Sequence, residues 1–172
     1  MTDFARLVER EIPRLRRYAR ALTRDTTRAD DLVQSSLVRA ITKQHLWQAG
    51  TDLRAWLFTI LHNLHVNDVR RGVREGAAIP VEEVASALTV DANAGPSLQL
   101  RDLERALARL PDEQRQVILL VGLEDMRYEE AATILDIPIG TVRSRLSRAR
   151  ETLRVLMEIG SDGERQTPAS AA

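Results

Sequence analysis

Residues 141–150 carry the side chains of this chain that are best suited to bind another macromolecule. Apolar residues return there at steps of three and four, which predicts the buried stripe of a helix: Val142, Leu146, Ala149, Leu153 and Leu156. The opposite face carries Arg143, Ser144, Arg145, Ser147 and Arg148. Arginine can donate two hydrogen bonds to guanine or clamp a phosphate, and serine can donate to either. The pattern therefore favours nucleic-acid binding near the N-terminus of the helix, where backbone N–H groups also attract phosphate.

The segment before this helix gives the basic face its context. A short helix at about 129–135, a turn at 136–140 and the basic helix from 141 to about 158 predict a helix-turn-helix over about 127–156. An arginine-rich face on an isolated helix is more often simply solvated. Behind a short helix and a tight turn, the same face predicts a recognition helix for the major groove of DNA.

Composition limits the other functions. The 25 basic and 25 acidic side chains balance, so any DNA affinity must come from local patches rather than bulk charge. With no cysteine, the chain has neither disulfides nor a thiolate zinc site. We find no P-loop, no nucleophile elbow and no paired carboxylates with a partner base, and expect no catalytic centre and no cofactor. No signal peptide or membrane-spanning stretch is evident, so we expect a soluble, cytoplasmic protein without membrane insertion.

Hydrophobic periodicity predicts an all-α fold of two small helical domains joined by a flexible linker. The first domain, residues 1–76, holds three amphipathic helices, of which the first is kinked or split by Pro13. The inner face of the second helix is predicted to contain Ala29, Val33, Leu37, Ala40 and Ile41. Residues 77–97 contain acidic but no basic residues, as well as Pro80, Gly95 and Pro96, and are predicted to be an acidic linker. The second domain is 98–159, and 160–172 is a predicted disordered tail.

Three segments of the second domain resemble region 4 of the bacterial extracytoplasmic-function (ECF) sigma factors: LPDEQR at 110–115, YEEAA at 128–132 and GTVRSRLSRAR at 140–150. The first domain resembles region 2 of the same family in ADDLVQ at 29–34, RA at 39–40, AWLFTI at 55–60 and NL at 63–64. The resemblance extends from about residue 4 to about residue 158, with both regions in the family's order. Residues 55–61, 22–23 and 29–31 are nearest to the alphaproteobacterial general-stress subgroup.

The resemblance implies a sigma factor that binds the RNA polymerase core and directs promoter-specific transcription initiation in a stress response. The implied partners are the polymerase core, through the clamp helices of its largest subunit and its flap, promoter DNA, and an anti-sigma factor. Asp30, Asp31 and Gln34 would meet the clamp helices. Thr141 would join Arg143, Ser144, Arg145, Ser147 and Arg148 in reading the minus-thirty-five element.

Region 2 of the family melts and reads the minus-ten element, and the implied residues here are Trp56, Asn63, Asn67, Arg70, Arg71 and Arg74. The turn at 46–53 would hold a flipped base whose edge Asn63 could read with its amide. Trp56 would act as a wedge or stacking surface, although a tryptophan beside Leu57 and Ile60 also fits a core position. The family commonly has aspartate four residues after the asparagine, whereas this chain has Asn67 there and Asp68 next to it.

Other hypotheses remain open at this stage. His62 and His65 are three apart on a helix and could share a metal, but without a third ligand we expect them to face DNA and expect no metal site. A sigma-like decoy would fold in the same way and only sequester an anti-sigma factor. A helix-turn-helix repressor would bind its operator without polymerase. The linker would either mimic nucleic acid inside the polymerase or act as a spacer.

Overall fold

The computed structural model describes residues 3–76 and 98–165, with side chains as far as Ile159. Every regular element in these two ranges is helical. The N-terminal unit contains helices α1 (Asp3–Thr23), α2 (Thr26–Thr42) and α3 (Leu53–Arg74), with a short 3₁₀ turn at Gln44–Leu46. The C-terminal unit contains α4 (Leu98–Arg109), α5 (Asp112–Ile118), α6 (Tyr128–Leu135) and α7 (Ile139–Arg165). None of these helices is long and apolar enough to cross a membrane.

Aspartates begin two helices of the N-terminal unit. The Asp25 carboxylate accepts a hydrogen bond from the Arg28 amide at 3.0 Å, and the Asp52 carboxylate accepts one from the Ala55 amide at 3.1 Å. Each satisfies a backbone donor that the first helical turn leaves free. Between the helices, the Tyr18 and Phe58 rings pack edge to face with centroids 5.2 Å apart.

Helix α1 is not split at Pro13, because it continues through the proline as one helix. Proline removes one backbone hydrogen bond and crowds the preceding turn. The second half of α1 nevertheless buries Leu15, Tyr18, Ala19 and Leu22, all at most 1% exposed. This packing holds the part of α1 that follows the proline against the core.

The C-terminal unit turns sharply at two places. Pro111 separates α4 from α5, and the buried Arg115 side chain donates hydrogen bonds to the carbonyls of Leu107, Ala108 and Leu110 at the end of α4, at 2.9, 3.0 and 2.6 Å. After α5, the chain widens into a π turn at Leu119–Leu123, where the Glu124 amide donates to the Leu119 carbonyl at 3.0 Å. Sequence periodicity did not predict this π turn.

The last helix is longer than predicted. Helix α7 runs to Arg165, whereas the sequence placed its end near 158 and a disordered tail from 160. Glycine weakens a helix by about 1 kcal/mol without forbidding it, so Gly160 and Gly163 were poor guides to its end. The predicted linker at 77–97 and the rest of the predicted tail, 166–172, lie outside the described residues.

The two units pack against each other. Helix α3 contacts α6, while α1 contacts α5 and the π turn. The buried apolar side chains of both units form one continuous cluster, from Val8 in α1 to Leu146 in α7. The sequence predicted two domains correctly but gave no sign of this shared seam.

Candidate nucleic-acid interface

The N-terminal part of α7 has an exposed polar face and, on its other side, a buried apolar face. Val142, Leu146 and Ala149 are 0–2% exposed and pack the helix onto its unit. The opposite side exposes Arg143, Ser144, Ser147 and Arg148, as the sequence pattern predicted. Thr141 is half-buried, and its carbonyl accepts a hydrogen bond from the Ser144 hydroxyl at 3.1 Å. Two arginines and two serines are therefore free to contact a ligand together.

Arg145 lies apart from this exposed set. Its side chain is only 23% exposed and forms an ion pair with Glu113 of α5 at 3.7 Å. The sequence placed Arg145 with the outward residues, but the structure directs it along the surface toward α5. In this conformation it helps to hold α7 in place, and a DNA contact would require it to leave Glu113.

The turn before α7 fixes how the helix projects. The Arg127 amide donates to the Glu130 carboxylate at 2.8 Å at the start of α6. Asp136 ends α6 in the left-handed conformation, with φ 53°. The Ile137 amide then donates to the Ala132 carbonyl at 3.1 Å, and the Thr141 amide to the Pro138 carbonyl at 2.9 Å. These local bonds form the helix-turn-helix that the sequence predicted.

An open cleft of about 500 Å³ extends the basic face along α7. It is lined by Tyr128, Arg143, Leu146, Ser147, Arg150, Glu151 and Arg154. Arg150 was missed in the sequence, although its spacing of seven from Arg143 places both on one side of a helix. Arg154 is held by Glu151 at 2.7 Å and Glu158 at 2.8 Å, so its charge is already paired.

A second polar stripe lies on α3. Asn63, Asn67, Arg70 and Arg74 are all exposed and follow steps of four, three and four. The neighbouring Arg71 is paired with Asp68 at 2.5 Å. The stripe thus presents two amides followed by two exposed guanidinium groups, which are chemically able to contact base edges and phosphates.

Trp56 is half-buried at the start of α3. Its ring lies 6.3 Å from the Phe4 ring, which in turn lies 5.5 Å from Trp47 in the turn before α3. These three rings connect α1 to the predicted base-binding turn. Trp56 therefore serves partly as core, and only part of its surface is available for stacking.

The acidic face of α2 is exposed as predicted. Asp30, Asp31 and Gln34 all lie on the surface, and the Asp30 carboxylate lies 3.7 Å from Arg20. An open groove beside them is lined by Asp31, Gln34, Ser35, Val38, Arg39, Thr42, Lys43 and Leu64. Ile41, predicted for the inner face, is 55% exposed, and Val38 is 60% exposed. The surface of α2 therefore combines acidic and apolar groups.

The two histidines of α3 do not face outward. His62 and His65 are 6% and 5% exposed, so the prediction that they face DNA is wrong. The described residues contain no group of three or more His, Cys, Asp or Glu placed to hold a metal. Burial, and secondarily the nearby His65, lower the pKa of His62 to about 4. His62 is consequently neutral at physiological pH.

The chain is similar to proteins of a known family. The Sigma2 domain of PhyR matches residues 8–62, and region 4 of the sigma-70 family matches residues 100–153. The chain is 39% identical over 150 residues to the ECF RNA polymerase sigma factor EcfG of Rhodopseudomonas palustris, which covers 86% of this chain and 81% of that relative. The helical fold, the helix-turn-helix and the similar proteins together define this chain as an RNA polymerase sigma factor. The chain belongs to the ECF sigma factor family.

Solved structures agree with this assignment. The sigma factor RpoE of Bartonella quintana, in complex with the anti-sigma factor NepR, is 36% identical, with a TM-score of 0.79 over 92% of this chain and 99% of that one. The anti-anti-sigma factor PhyR of the same organism is 16% identical, with a TM-score of 0.58 over 88% of this chain and 49% of that one. At that identity PhyR shows the fold alone. Members of the sigma family are regulatory proteins rather than enzymes and direct transcription initiation, as the sequence resemblance implied.

Proposed function

We propose that this chain directs core RNA polymerase to promoters by reading the minus-thirty-five element with α7. The observation that supports this role is the exposed face of Arg143, Ser144, Ser147 and Arg148 on the first turns of a helix whose other side is buried. Arginine and serine there can reach base edges and phosphates when the helix enters the major groove. Arg150, on the same side further along α7, adds charge beside the groove.

Helix α3 reads the minus-ten element in this proposal. The amides of Asn63 and Asn67 can both donate and accept hydrogen bonds, which suits the edge of an unstacked base. Arg70 and Arg74 lie further along the same stripe and hold the backbone, while Arg71 first has to leave Asp68. Trp56 offers its exposed part to the melted strand.

The acidic and apolar surface of α2 binds the polymerase core. Asp30, Asp31 and Gln34 contact the clamp helices of the largest subunit, and the exposed Val38 and Ile41 supply apolar area beside them. The C-terminal unit contacts the flap. Since polymerase and promoter DNA are its partners, the protein acts in the cytoplasm.

An anti-sigma factor of the NepR kind controls this protein in a stress response. The support comes from two relatives: EcfG at 39% identity, and RpoE of Bartonella quintana, whose structure was solved with NepR bound. The match to RpoE, which covers 99% of that chain, supports this proposal.

Run-off transcription with purified core polymerase on a library of genomic promoter fragments tests the proposal. The protein should create new start sites, and Arg143→Ala with Arg148→Ala should remove them. Arg105→Ala is the matched control, because Arg105 is an exposed arginine of α4 that belongs to neither DNA-facing stripe. If the wild-type protein yields no transcript and does not bind core polymerase in a pull-down, the proposal is wrong.

The second candidate is a sigma-like decoy, which the match to the Sigma2 domain of PhyR favours. A decoy would bind the anti-sigma factor without supporting transcription, whereas the sigma factor proposed here does both. The run-off reaction itself separates the two, because only the sigma factor gives transcripts, and addition of NepR should then silence them. A stand-alone repressor would instead bind duplex operator DNA tightly without polymerase, which a band-shift assay detects.

A further inference from the structure

Two ion pairs of the C-terminal unit differ in their surroundings. Glu124 has a fully buried side chain, and the Arg17 Nε of α1 donates to its Oε1 at 3.0 Å across the seam between the units. Loss of Arg17 would remove the charge that faces this buried carboxylate, so the pair has a structural role. Glu113 and Arg145 instead form a surface pair at 3.7 Å, with side chains 70% and 23% exposed. Exposed pairs of this kind contribute little to stability.

Helix α7 is held in place by contacts other than the surface pair. Its apolar side is 0–2% exposed at Val142, Leu146 and Ala149. Further along the helix, the Thr152 hydroxyl donates to the Gln114 side-chain oxygen of α5 at 3.3 Å. These contacts fix the rotation of α7 against α5. The surface pair therefore adds an exposed contact to a helix that is already held.

The surface pair lies at one edge of the face that α7 offers to DNA. Arg145 and the exposed Arg148 are three residues apart, which places them on the same flank of the helix. Glu113 is in the first turn of α5, with its carboxylate beside this flank. A helix with its side chains is about 10–12 Å across and the major groove is about 12 Å wide, so the flanks of an inserted helix run beside the phosphate backbones. Glu113 thus offsets the charge of Arg145 where phosphates would pass.

The opposite flank of α7 has a different balance of charge. Arg143 and Arg150 line the open cleft there, and the acid beside them, Glu151, is held by Arg154 at 2.7 Å. That acid is therefore already engaged by an arginine further along the helix. On the α5 side, the acid engages Arg145, a residue next to the exposed face itself. A phosphate contact from Arg145 would add affinity for DNA of any sequence, because the backbone carries no base information.

We propose that Glu113 is a positioning residue that withholds Arg145 from the DNA backbone, weakening binding by about one phosphate contact without changing which sequence is read. This inference rests on the proposed function of α7 as the helix that enters DNA. Its consequence concerns the free protein. The 25 basic and 25 acidic residues of the chain give it no bulk attraction to DNA, and Glu113 limits the attraction of the recognition surface. The free protein then stays available to polymerase instead of being held on bulk DNA.

The affinity of the full chain for a random-sequence duplex of about 30 base pairs, measured by fluorescence anisotropy at several salt concentrations, tests the proposal. Glu113→Gln should bind about three- to tenfold more tightly at about 50 mM salt, and this gain should shrink by a factor of about 3.5 at about 200 mM, as one added phosphate contact requires. Glu113→Gln combined with Arg145→Gln should bind no better than Arg145→Gln alone. Asp102→Asn is the matched control, because Asp102 of α4 pairs with Arg105 at the same 3.7 Å and α4 carries neither DNA-facing stripe.

A purely structural pair predicts the opposite sign, since its loss would loosen α7 and weaken binding. Weaker or unchanged binding by Glu113→Gln, or lost protection of α7 in hydrogen exchange, would therefore overturn the proposal. An equal gain in Asp102→Asn would attribute the effect to net charge, and a gain that persists without Arg145 would show that Glu113 acts by another route; either result contradicts the proposal.

Run-off transcription with core polymerase adds a separate readout. Glu113→Gln should use the same start sites as the parent, and a changed set would contradict the claim that sequence preference is unaltered. If the parent gives no transcript, the proposed function fails. The duplex affinities, measured without polymerase, still decide whether Glu113 withholds Arg145.

Discussion

Helices α3 and α7 each offer a polar stripe to solvent, but they differ in what lies beneath it. The buried side of α7 is aliphatic, with Val142, Leu146 and Ala149, and α7 packs against α4, α5 and α6 of its own unit. The buried side of α3 includes His62 and His65, and α3 packs against α1 and α2 of its own unit and against α6 of the other. The difference shows that the main contacts of α7 lie within its own unit, whereas α3 also forms part of the seam.

The largest effect that separates the two helices is expected from a matched pair of core truncations. Leu61 and Leu146 are 0% and 2% exposed, so Leu61→Ala and Leu146→Ala should each cost about 2–5 kcal/mol of unfolding free energy. Leu61→Ala should speed hydrogen exchange in both units, because α3 lies in the N-terminal unit and packs against α6 of the C-terminal unit. Leu146→Ala should affect only the C-terminal unit. Equal effects on both units from Leu146→Ala would remove the distinction between the helices.

A fall in pH should destabilise the protein through His62 of α3 rather than through any group of α7. The pKa of His62 is about 4 when folded and about 6.5 when unfolded, so the unfolded chain binds the proton first as pH falls. The free energy of unfolding should drop by on the order of 2–3 kcal/mol between pH 6.5 and 4. His62→Gln should remove most of this drop in urea titrations, while His45→Gln, at an exposed position, should leave it intact.

Asp112 contributes to acid sensitivity only at lower pH. Burial acts to raise the pKa of Asp112, but His65, Arg115 and the Gln116 side chain lower it overall. A carboxyl with a lowered pKa stabilises the fold above its unfolded value and loses that contribution as pH falls through the folded value. A drop that persists in His62→Gln below pH 4 is therefore expected.

The exposed stripes should differ in what they read. Arg143→Ala should weaken promoter binding by about 1–3 kcal/mol and relax selectivity within the upstream element, because arginine reads base edges there. Arg74→Ala should weaken binding about equally on all promoters and lower the salt dependence by about one phosphate contact. Holoenzyme binding measured at several salt concentrations distinguishes these outcomes. A sequence-selective loss in Arg74→Ala would contradict the division of roles.

The smallest change is expected from Asn67→Asp, which restores the residue that the family commonly carries. It should shift the preference for one base of the minus-ten element by about 1 kcal/mol and leave the upstream element unaffected. Transcription from a library with every base at each minus-ten position measures this shift. Asp68→Asn is the control for charge alone: it frees Arg71 from its ion pair and should change binding on all promoters without changing the preference for one base.

The sequence predicted α7 better than α3 for a physical reason. The sequence signals of a recognition helix are local: apolar residues at steps of three and four, and a turn before the helix. These signals predicted the exposed Arg143 and Arg148. Glu124 and Arg17 are 107 residues apart, and no local period marks a single buried glutamate in a turn. His62 and His65 were assigned to the DNA-facing side for the same reason: their burial depends on a seam with another part of the chain.

The π turn at Leu119–Leu123 sets where Glu124 points, because it inserts one more residue per turn than an α-helix has. Removal of a single residue there would turn everything after it by about 100° relative to α5. Glu124 would then lose its place opposite Arg17, although both side chains would still be encoded. The loss of one codon in this turn would therefore displace a contact between the two units without changing either residue that forms it.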